Sequence, residues 1–239
     1  MHKLAVTLIV LLIACPLWAQ KADYRNNVVR KGNSVYLDGF KTLKQKGPTC
    51  NIYSAVMILR YYGYTIHSKE LMTTSNEDEY RGVKFLKARL DEKGFIISGI
   101  SSNSPSLMEK KIRITIDSGI PVRWSCNMLL SPYAEERPKD KTENAGHARV
   151  ITGYKFAGEK ITAVIYADSW GKEQLNKTMS FSDAIKMTKA LSVIYPKYLD
   201  PATIAQIDPP LNQNPKQTVP PPKRKKLPAS TASSNSNEY

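Results

Sequence analysis

The stretch Gln45-Lys46-Gly47-Pro48-Thr49-Cys50-Asn51-Ile52-Tyr53-Ser54-Ala55-Val56-Met57-Ile58-Leu59-Arg60-Tyr61-Tyr62-Gly63 reads as a tight turn running straight into a helix. Ile52, Ala55, Val56, Leu59 and Tyr62 recur at helical spacing. Thr49 stands where a cap belongs and Gly63 where the helix must stop. The apolar face predicts a helix half sunk in the core. Cys50 falls in its first turn, where unpaired backbone N–H groups and the helix dipole stabilise an anion and lower a thiol pKa. A cysteine at a helix start is more often inert than nucleophilic, so the reading turns on whether a base and an orienting acid can reach it.

Working outward, residues 35–37 with Phe40 suggest a short strand ahead of the turn. Helices are expected over 68–74, 82–93 and 105–117. After Gly119 the apolar pattern changes to strands over 120–124, 147–156, 161–167 and 190–195, with a polar loop over 127–144 and a helix near 182–189. A mainly helical first half and a mainly sheet second half predict an α+β domain, a helical lobe meeting an antiparallel sheet lobe across a cleft.

Beyond the first twenty residues the histidines are His67 and His147. His147 opens the strand Gly146-His147-Ala148-Arg149-Val150-Ile151-Thr152-Gly153-Tyr154, and the next strand ends at Ala167-Asp168-Ser169-Trp170-Gly171. A hairpin turning on Ala157-Gly158 puts His147 directly opposite Asp168, with Cβ atoms about 5 Å apart. A register shift of two leaves them diagonal on one face, whereas a three-residue turn separates them. Taken singly, His147 reads as a core histidine and Asp168 as a turn residue; beside Cys50 they supply what thiol chemistry needs. Gln45, five residues before Cys50, is placed to aim a carboxamide N–H at an oxyanion alongside the Cys50 backbone N–H. Its plainer reading is an exposed loop glutamine.

In that order the three blocks, residues 45–63, 146–154 and 168–171, resemble the papain-like cysteine peptidases, most of all the stand-alone relatives of the bacteriocin-leader-processing, C39-like peptidases. The resemblance spans about residues 35–195. It implies the papain-like α+β fold, Cys50 as nucleophile, His147 as base, Asp168 as the residue orienting the imidazole, Gln45 in the oxyanion hole, and a peptide or protein substrate with no cofactor. Asn51 stands where many relatives carry Gly after the nucleophile. The membrane and ATPase portion of the transporter-linked members has no counterpart in this sequence, so the resemblance does not by itself imply cleavage of double-glycine leaders. About two dozen residues between the leader and Gln45 are too few for a folded inhibitory pro-domain.

The 239 residues are 41% hydrophobic and 23% charged, which excludes collagen-like, wholly disordered and disulfide-dense classes for the middle of the chain. Residues 4–13 form an apolar run too short to span a membrane and suited to a signal-peptide core, with cleavage expected after Ala19. Leu12-Ile13-Ala14-Cys15 offers the alternative of a lipoprotein anchored at Cys15. The expected organisation is a leader over 1–19, an extension over 20–34, the peptidase domain over 35–195 and a Pro-rich basic tail over 196–239. Location is then periplasmic or secreted, with no transmembrane segment in the mature chain, which is expected to be a monomer.

Lys plus Arg number 35 against 21 Asp plus Glu, for a net charge of +14, and the excess is not confined to the tail run Lys223-Arg224-Lys225-Lys226. Such a balance favours anionic surfaces, acidic substrates or nucleic acid, and charge alone does not choose among them; the leader makes an anionic cell-envelope polymer the more sensible partner, and nucleic acid is not expected, because no reader motif accompanies the charge. Two rival functions follow, a non-catalytic envelope-binding protein on the same fold and an acyltransferase using the same thiol. A single Cys50–Cys126 disulfide is the plain alternative for an exported chain. A zinc site from Cys50, Cys126, His67 and His147 lacks ligand spacing. Residues 135–141 read as a surface segment, either a lid or a plain loop.

Overall fold

In the computed structural model residues 24–72, 83–138, 145–170, 174–199 and 205 are described, and they fall within the compact unit Met1–Pro209. The leader, Cys15 and the basic run at 223–226 lie outside the described residues. In chain order the strands are β1 (Val28–Lys31), β2 (Ser34–Leu37), β3 (Phe95–Gly99), β4 (Val122–Asn127), β5 (Gly146–Ala157), β6 (Lys160–Asp168), β7 (Gln174–Ser180) and β8 (Thr188–Pro196). The helices are α1 (Cys50–Tyr61), α2 (Ser68–Leu71), α3 (Val83–Glu92), α4 (Pro105–Asp117) and α5 (Phe181–Met187).

Eight consecutive residues of β5, 147–154, are buried. A strand apolar on both faces belongs in the middle of a sheet covered on both sides, and β5 takes that place. One edge pairs with β6; the other meets β4 along its first half and β2 further on. From β4 the sheet continues through β8 to β3, and every described pairing is antiparallel. Side chains alternate accordingly. Val150, Ala167 and Ile194 pack with Ile52, Val56 and Leu59 of α1, Leu86 and Leu90 of α3, and Phe95. Ile151, Tyr166, Trp124, Leu191 and Val193 face the other way, against Met108, Ile112 and Ile116 of α4 and Ala184 and Met187 of α5.

The α+β class holds. The first half also supplies β1, β2 and β3 to the sheet, and helices lie on both of its faces. β1 arises from the segment read as an N-terminal extension, where Tyr24 also packs edge-on against Tyr62 of α1. The polar loop expected over 127–144 begins as the last residue of β4 and two short 3-10 turns, Met128–Leu130 and Ala134–Glu136. Gly153 allows β2 to close on β5, since a Cβ there would stand 2.5 Å from the Val35 carbonyl oxygen and 2.8 Å from the Tyr36 Cβ.

The β5–β6 hairpin turns on Gly158-Glu159, not on Ala157-Gly158, because Ala157 still pairs with Lys160. The register is irregular in two places: Thr152 is extra on β5 and Thr162 extra on β6, so the two bulges cancel. At the far end Val150 therefore lies opposite Ala167. His147 and Asp168 are diagonal rather than opposed, a shift of two that keeps both on one face.

Candidate active site

α1 begins at Cys50, directly after the loop that carries Gln45. Gly47, with φ +64°, turns the chain, and its carbonyl accepts the Thr49 N–H at 2.9 Å. Thr49 occupies the cap position, but its side chain does not cap: the hydroxyl donates to the Lys46 carbonyl at 2.6 Å. The first-turn N–H groups are thus not taken up by a side-chain cap, and the helix presents its positive end at Cys50.

His147 reaches this point from β5. Its Nε2 lies 2.7 Å from Oδ1 of Asp168, at the end of β6. The imidazole also interacts with the Cys50 side chain, favouring the proton on the ring and the charge on the sulfur. The Trp170 indole stands edge-on to the imidazole, centroids 5.8 Å apart, although Trp170 itself is 62% exposed. The Trp170 backbone N–H also donates to Asp168 Oδ1 at 2.8 Å. Gln45 is stitched to the same turn: its N–H donates to the Ser169 carbonyl at 2.9 Å, and its Oε1 accepts from Ser169 Oγ at 2.7 Å. Its Nε2 donates to the Gly47 carbonyl at 2.8 Å. All four residues singled out in the sequence, Gln45, Cys50, His147 and Asp168, therefore meet at the junction of α1 with the ends of β5 and β6.

The electrostatics follow from this packing. Burial would raise the Cys50 thiol pKa, but the hydrogen bond and charge of His147, the Ala148 N–H and the charge of Arg123 together bring it below its ordinary value. Burial would lower His147, yet hydrogen bonds to Asp168 and Cys50 outweigh it and lift the imidazole to about 9. Asp168, also opposed by burial, is held at about 2 by the hydrogen bond and charge of His147, by Arg149 and by the Trp170 N–H. A depressed thiol beside a raised imidazole favours the thiolate–imidazolium pair at neutral pH.

Cys50 and Cys126 are both free thiols, which overturns the disulfide alternative. Cys126 lies opposite His147 on β4 and is buried, with Sγ toward Met128 Sδ at 3.7 Å and the His147 carbonyl at 3.5 Å. His67 stands at the start of α2, its N–H donating to Glu70 Oε1 at 2.7 Å.

Sequence reasoning missed a second layer behind the His–Asp couple. Arg149, two residues after His147, has a side chain 1% exposed. Its Nε donates to Asp168 Oδ2 at 2.8 Å and its Nη2 to Glu136 Oε2 at 2.6 Å. Its guanidinium lies over the rings of Tyr166 and Trp124, at 4.8 and 5.6 Å. Glu136 in turn accepts from Lys177 Nζ at 2.9 Å and Ser131 Oγ at 2.9 Å. The reading of 135–141 as a surface segment, either a lid or a plain loop, is corrected at Glu136, whose side chain is 7% exposed and balances a buried cation; residues 139–141 lie outside the described residues. The available signal was Arg149 itself, a charge within an apolar strand, which requires a buried partner.

A cavity of about 440 Å³ opens beside the couple, lined by Met128, Pro138, Ala145, His147, Arg149 and Trp170 among others; Cys50 is not part of its wall.

The Peptidase_C39 like family matches residues 37–196. The chain belongs to that family. Membership makes it a cysteine peptidase, a hydrolase, and the helices and antiparallel sheet described above are its papain-like fold. Among solved structures, a Bacillus anthracis protein described as a C39-like peptidase is similar at 17% identity over 69% of this chain and 98% of its own, with a TM-score of 0.47. The peptidase domain of Streptococcus ComA, a bifunctional ABC transporter of a quorum-sensing pathway, is similar at 14% identity over 65% and 96%, TM-score 0.46. A double-glycine-motif protease from an AMS/PCAT transporter, in complex with its leader peptide, is similar at 11% identity over 71% and 97%, TM-score 0.45. No curated protein matches the sequence.

Proposed function

We propose that this C39-like peptidase hydrolyses peptide bonds through a Cys50–His147–Asp168 triad assisted by Gln45, and that it works outside the cytoplasm. The observation that carries the triad is the 2.7 Å contact of His147 Nε2 with Asp168 Oδ1, which leaves the other ring nitrogen for Cys50 at the head of α1. The Cys50 thiolate attacks the substrate carbonyl carbon, forming a C–S bond as the carbonyl electron pair moves to oxygen. The backbone N–H of Cys50 and the Gln45 carboxamide stabilise that oxyanion. On collapse the C–N bond breaks and His147 gives its proton to the departing amine. Water then loses a proton to His147 and attacks the thioester, and the thiolate returns.

Because His147 delivers the proton, the departing amine must lie over the imidazole. The cavity bordered by His147 and Trp170 but not by Cys50 is on that side, and it suits the residues that follow the scissile bond. Export rests on the apolar run at 4–13 and the small residue Ala19; among the described residues no helix is long and apolar enough to cross a membrane. The basic excess, including the run at 223–226, then serves to hold the enzyme near anionic envelope polymers.

Intact-mass measurement of limiting iodoacetamide labelling tests the site without a known substrate. Cys50 is expected to label fast, Cys50→Ala not at all, and His147→Ala slowly. Slow labelling that ignores His147 would refute the peptidase triad and favour an envelope-binding role.

A further inference from the structure

Arg123 enters the interior from β4 and is 2% exposed. Its strand neighbours are Val150 on β5 and Ser192 on β8, neither of them charged. Its Nε donates to Ser54 Oγ at 3.2 Å and its Nη2 to Asn51 Oδ1. Both acceptors are neutral, and both sit in the first turns of α1, Asn51 directly after Cys50. Among the described residues no carboxylate is bonded to this guanidinium. Arginine does not give up its proton in a protein, and an uncompensated buried cation opposes folding. A fold that keeps one on neutral acceptors is stabilised by an anion near it.

Two thiols are at hand, Cys50 at the head of the helix to which Arg123 is bonded and Cys126 three residues further along β4. Burial pushes the Cys126 thiol up to about 12, so it stays neutral. Cys50 remains. Cys50 is the residue directly before Asn51, to which Arg123 is bonded; its thiolate is favoured by His147, by the Ala148 N–H on β5 and by the charge of Arg123, with Asp168 and Arg149 behind the imidazole. Of the cations, Arg149 is already matched by Asp168 and Glu136. His147 is committed to giving its proton away during turnover. Arg123 alone has neither obligation.

We propose that Arg123 is a positioning residue for the nucleophile, a resident counter-cation of the Cys50 thiolate hung from Asn51 and Ser54 of α1. Its charge does not depend on the protonation of His147. In deacylation the water oxygen bonds to the acyl carbon, its proton goes to His147, and the C–S electron pair returns to sulfur. A fixed cation favours that return throughout. The arrangement also gives Asn51 a task that glycine could not perform, since glycine has no side-chain acceptor to offer the guanidinium. The inference rests on Cys50 being the nucleophile.

The test is the pH dependence of iodoacetamide alkylation at Cys50 in the full chain, followed by intact mass between pH 4 and 10. Arg123→Gln keeps a polar contact to α1 and removes the charge; Arg123→Lys keeps the charge and removes the fork. The wild-type acid limb is expected well below the ordinary thiol range near 8.5. Loss of the cation disfavours the thiolate, so Arg123→Gln is expected to move that limb up by about one pH unit, or about tenfold less labelling at a pH below both limbs. Arg123→Lys is expected to stay close to wild type. A melting curve checks that each variant is folded, and Arg123→Met, neutral and suited to a buried site, replaces the glutamine variant if that one is not. A wild-type limb in Arg123→Gln or Arg123→Met would overturn the proposal, as would equal shifts in the lysine and neutral variants, which mark a mere strut. A wild-type protein that itself titrates like an ordinary thiol would refute the nucleophile first and this inference with it.

Discussion

Arg149→Met tests whether the buried ion cluster supports the site. Arg149, Asp168 and Glu136 have side chains 1%, 3% and 7% exposed, so water screens their attraction little. Removing the guanidinium leaves Asp168 with His147 and the Trp170 N–H, and Glu136 with Lys177, Ser131 and a long contact to Tyr166. Deleting one partner of such a buried pair costs about 3–5 kcal/mol, because the remaining charge loses its compensation. Loss of the stacking over Tyr166 and Trp124 adds about 0.5–2 kcal/mol, offset in part by the apolar methionine that fills the space. A net loss of about 4 kcal/mol lowers the melting temperature of a domain this size by roughly 8–16 °C. The assay is calorimetry at neutral pH on wild type, Arg149→Met, Glu136→Gln and the double variant. Because Glu136 in the arginine variant loses its buried counter-charge and keeps only the half-exposed Lys177, neutralising it should restore part of the stability, giving a coupling of about 2 kcal/mol in the cycle. A single arginine variant that melts within about 2 °C of wild type, or strictly additive effects, would refute the idea that the cluster is held by its mutual charges.

Three further outcomes are expected. Gln45→Ala should lower kcat by about 10²–10³ on any confirmed peptide substrate while leaving Cys50 labelling within about twofold, since an oxyanion donor acts after the thiolate has formed; equal loss in both assays would make Gln45 only a strut for the loop. Asp168, held at about 2 against an ordinary 3.8, stabilises the fold fully above about pH 3.8 and loses that contribution as pH falls through about 2. The stability gap between wild type and Asp168→Asn should therefore close as pH falls from about 3.8 to about 2 in pH-dependent melts; a gap undiminished at pH 2 would contradict it. Gly153→Ala must push β2 away from β5 and should cost about 1–3 kcal/mol in denaturant titration, with Cys50 labelling unchanged in the folded protein.

The parts of this molecule that could be read from sequence are those set by local chemistry. α1 announces itself by spacing, and Cys50 by its place in the first turn. The His–Asp pairing survived an error in the hairpin because the side-chain period of a strand is two. The turn on Gly158-Glu159 and the cancelling bulges at Thr152 and Thr162 moved the register by two, which leaves the face unchanged. What stayed hidden depends on partners far away in the chain. Phe95–Gly99 is a strand because β8, about a hundred residues later, pairs with it; alone, the run is too short to separate from a helix end. Gln174–Ser180 is a polar strand beside β6 whose composition suggests a loop. The two buried arginines were visible as letters but not as positions, since only the sheet order brings Arg123 under the first turns of α1 and Arg149 between Asp168 and Glu136. Their presence nevertheless obeys a rule that can be applied to sequence. An arginine inside a run such as Val122-Arg123-Trp124 or Ala148-Arg149-Val150 opposes folding unless an anion is supplied. At Arg149 the fold supplies two carboxylates. At Arg123 the candidate that fits is the thiolate of Cys50, so the same burial that weakens the fold at β4 becomes a reason for the sulfur to be ionised.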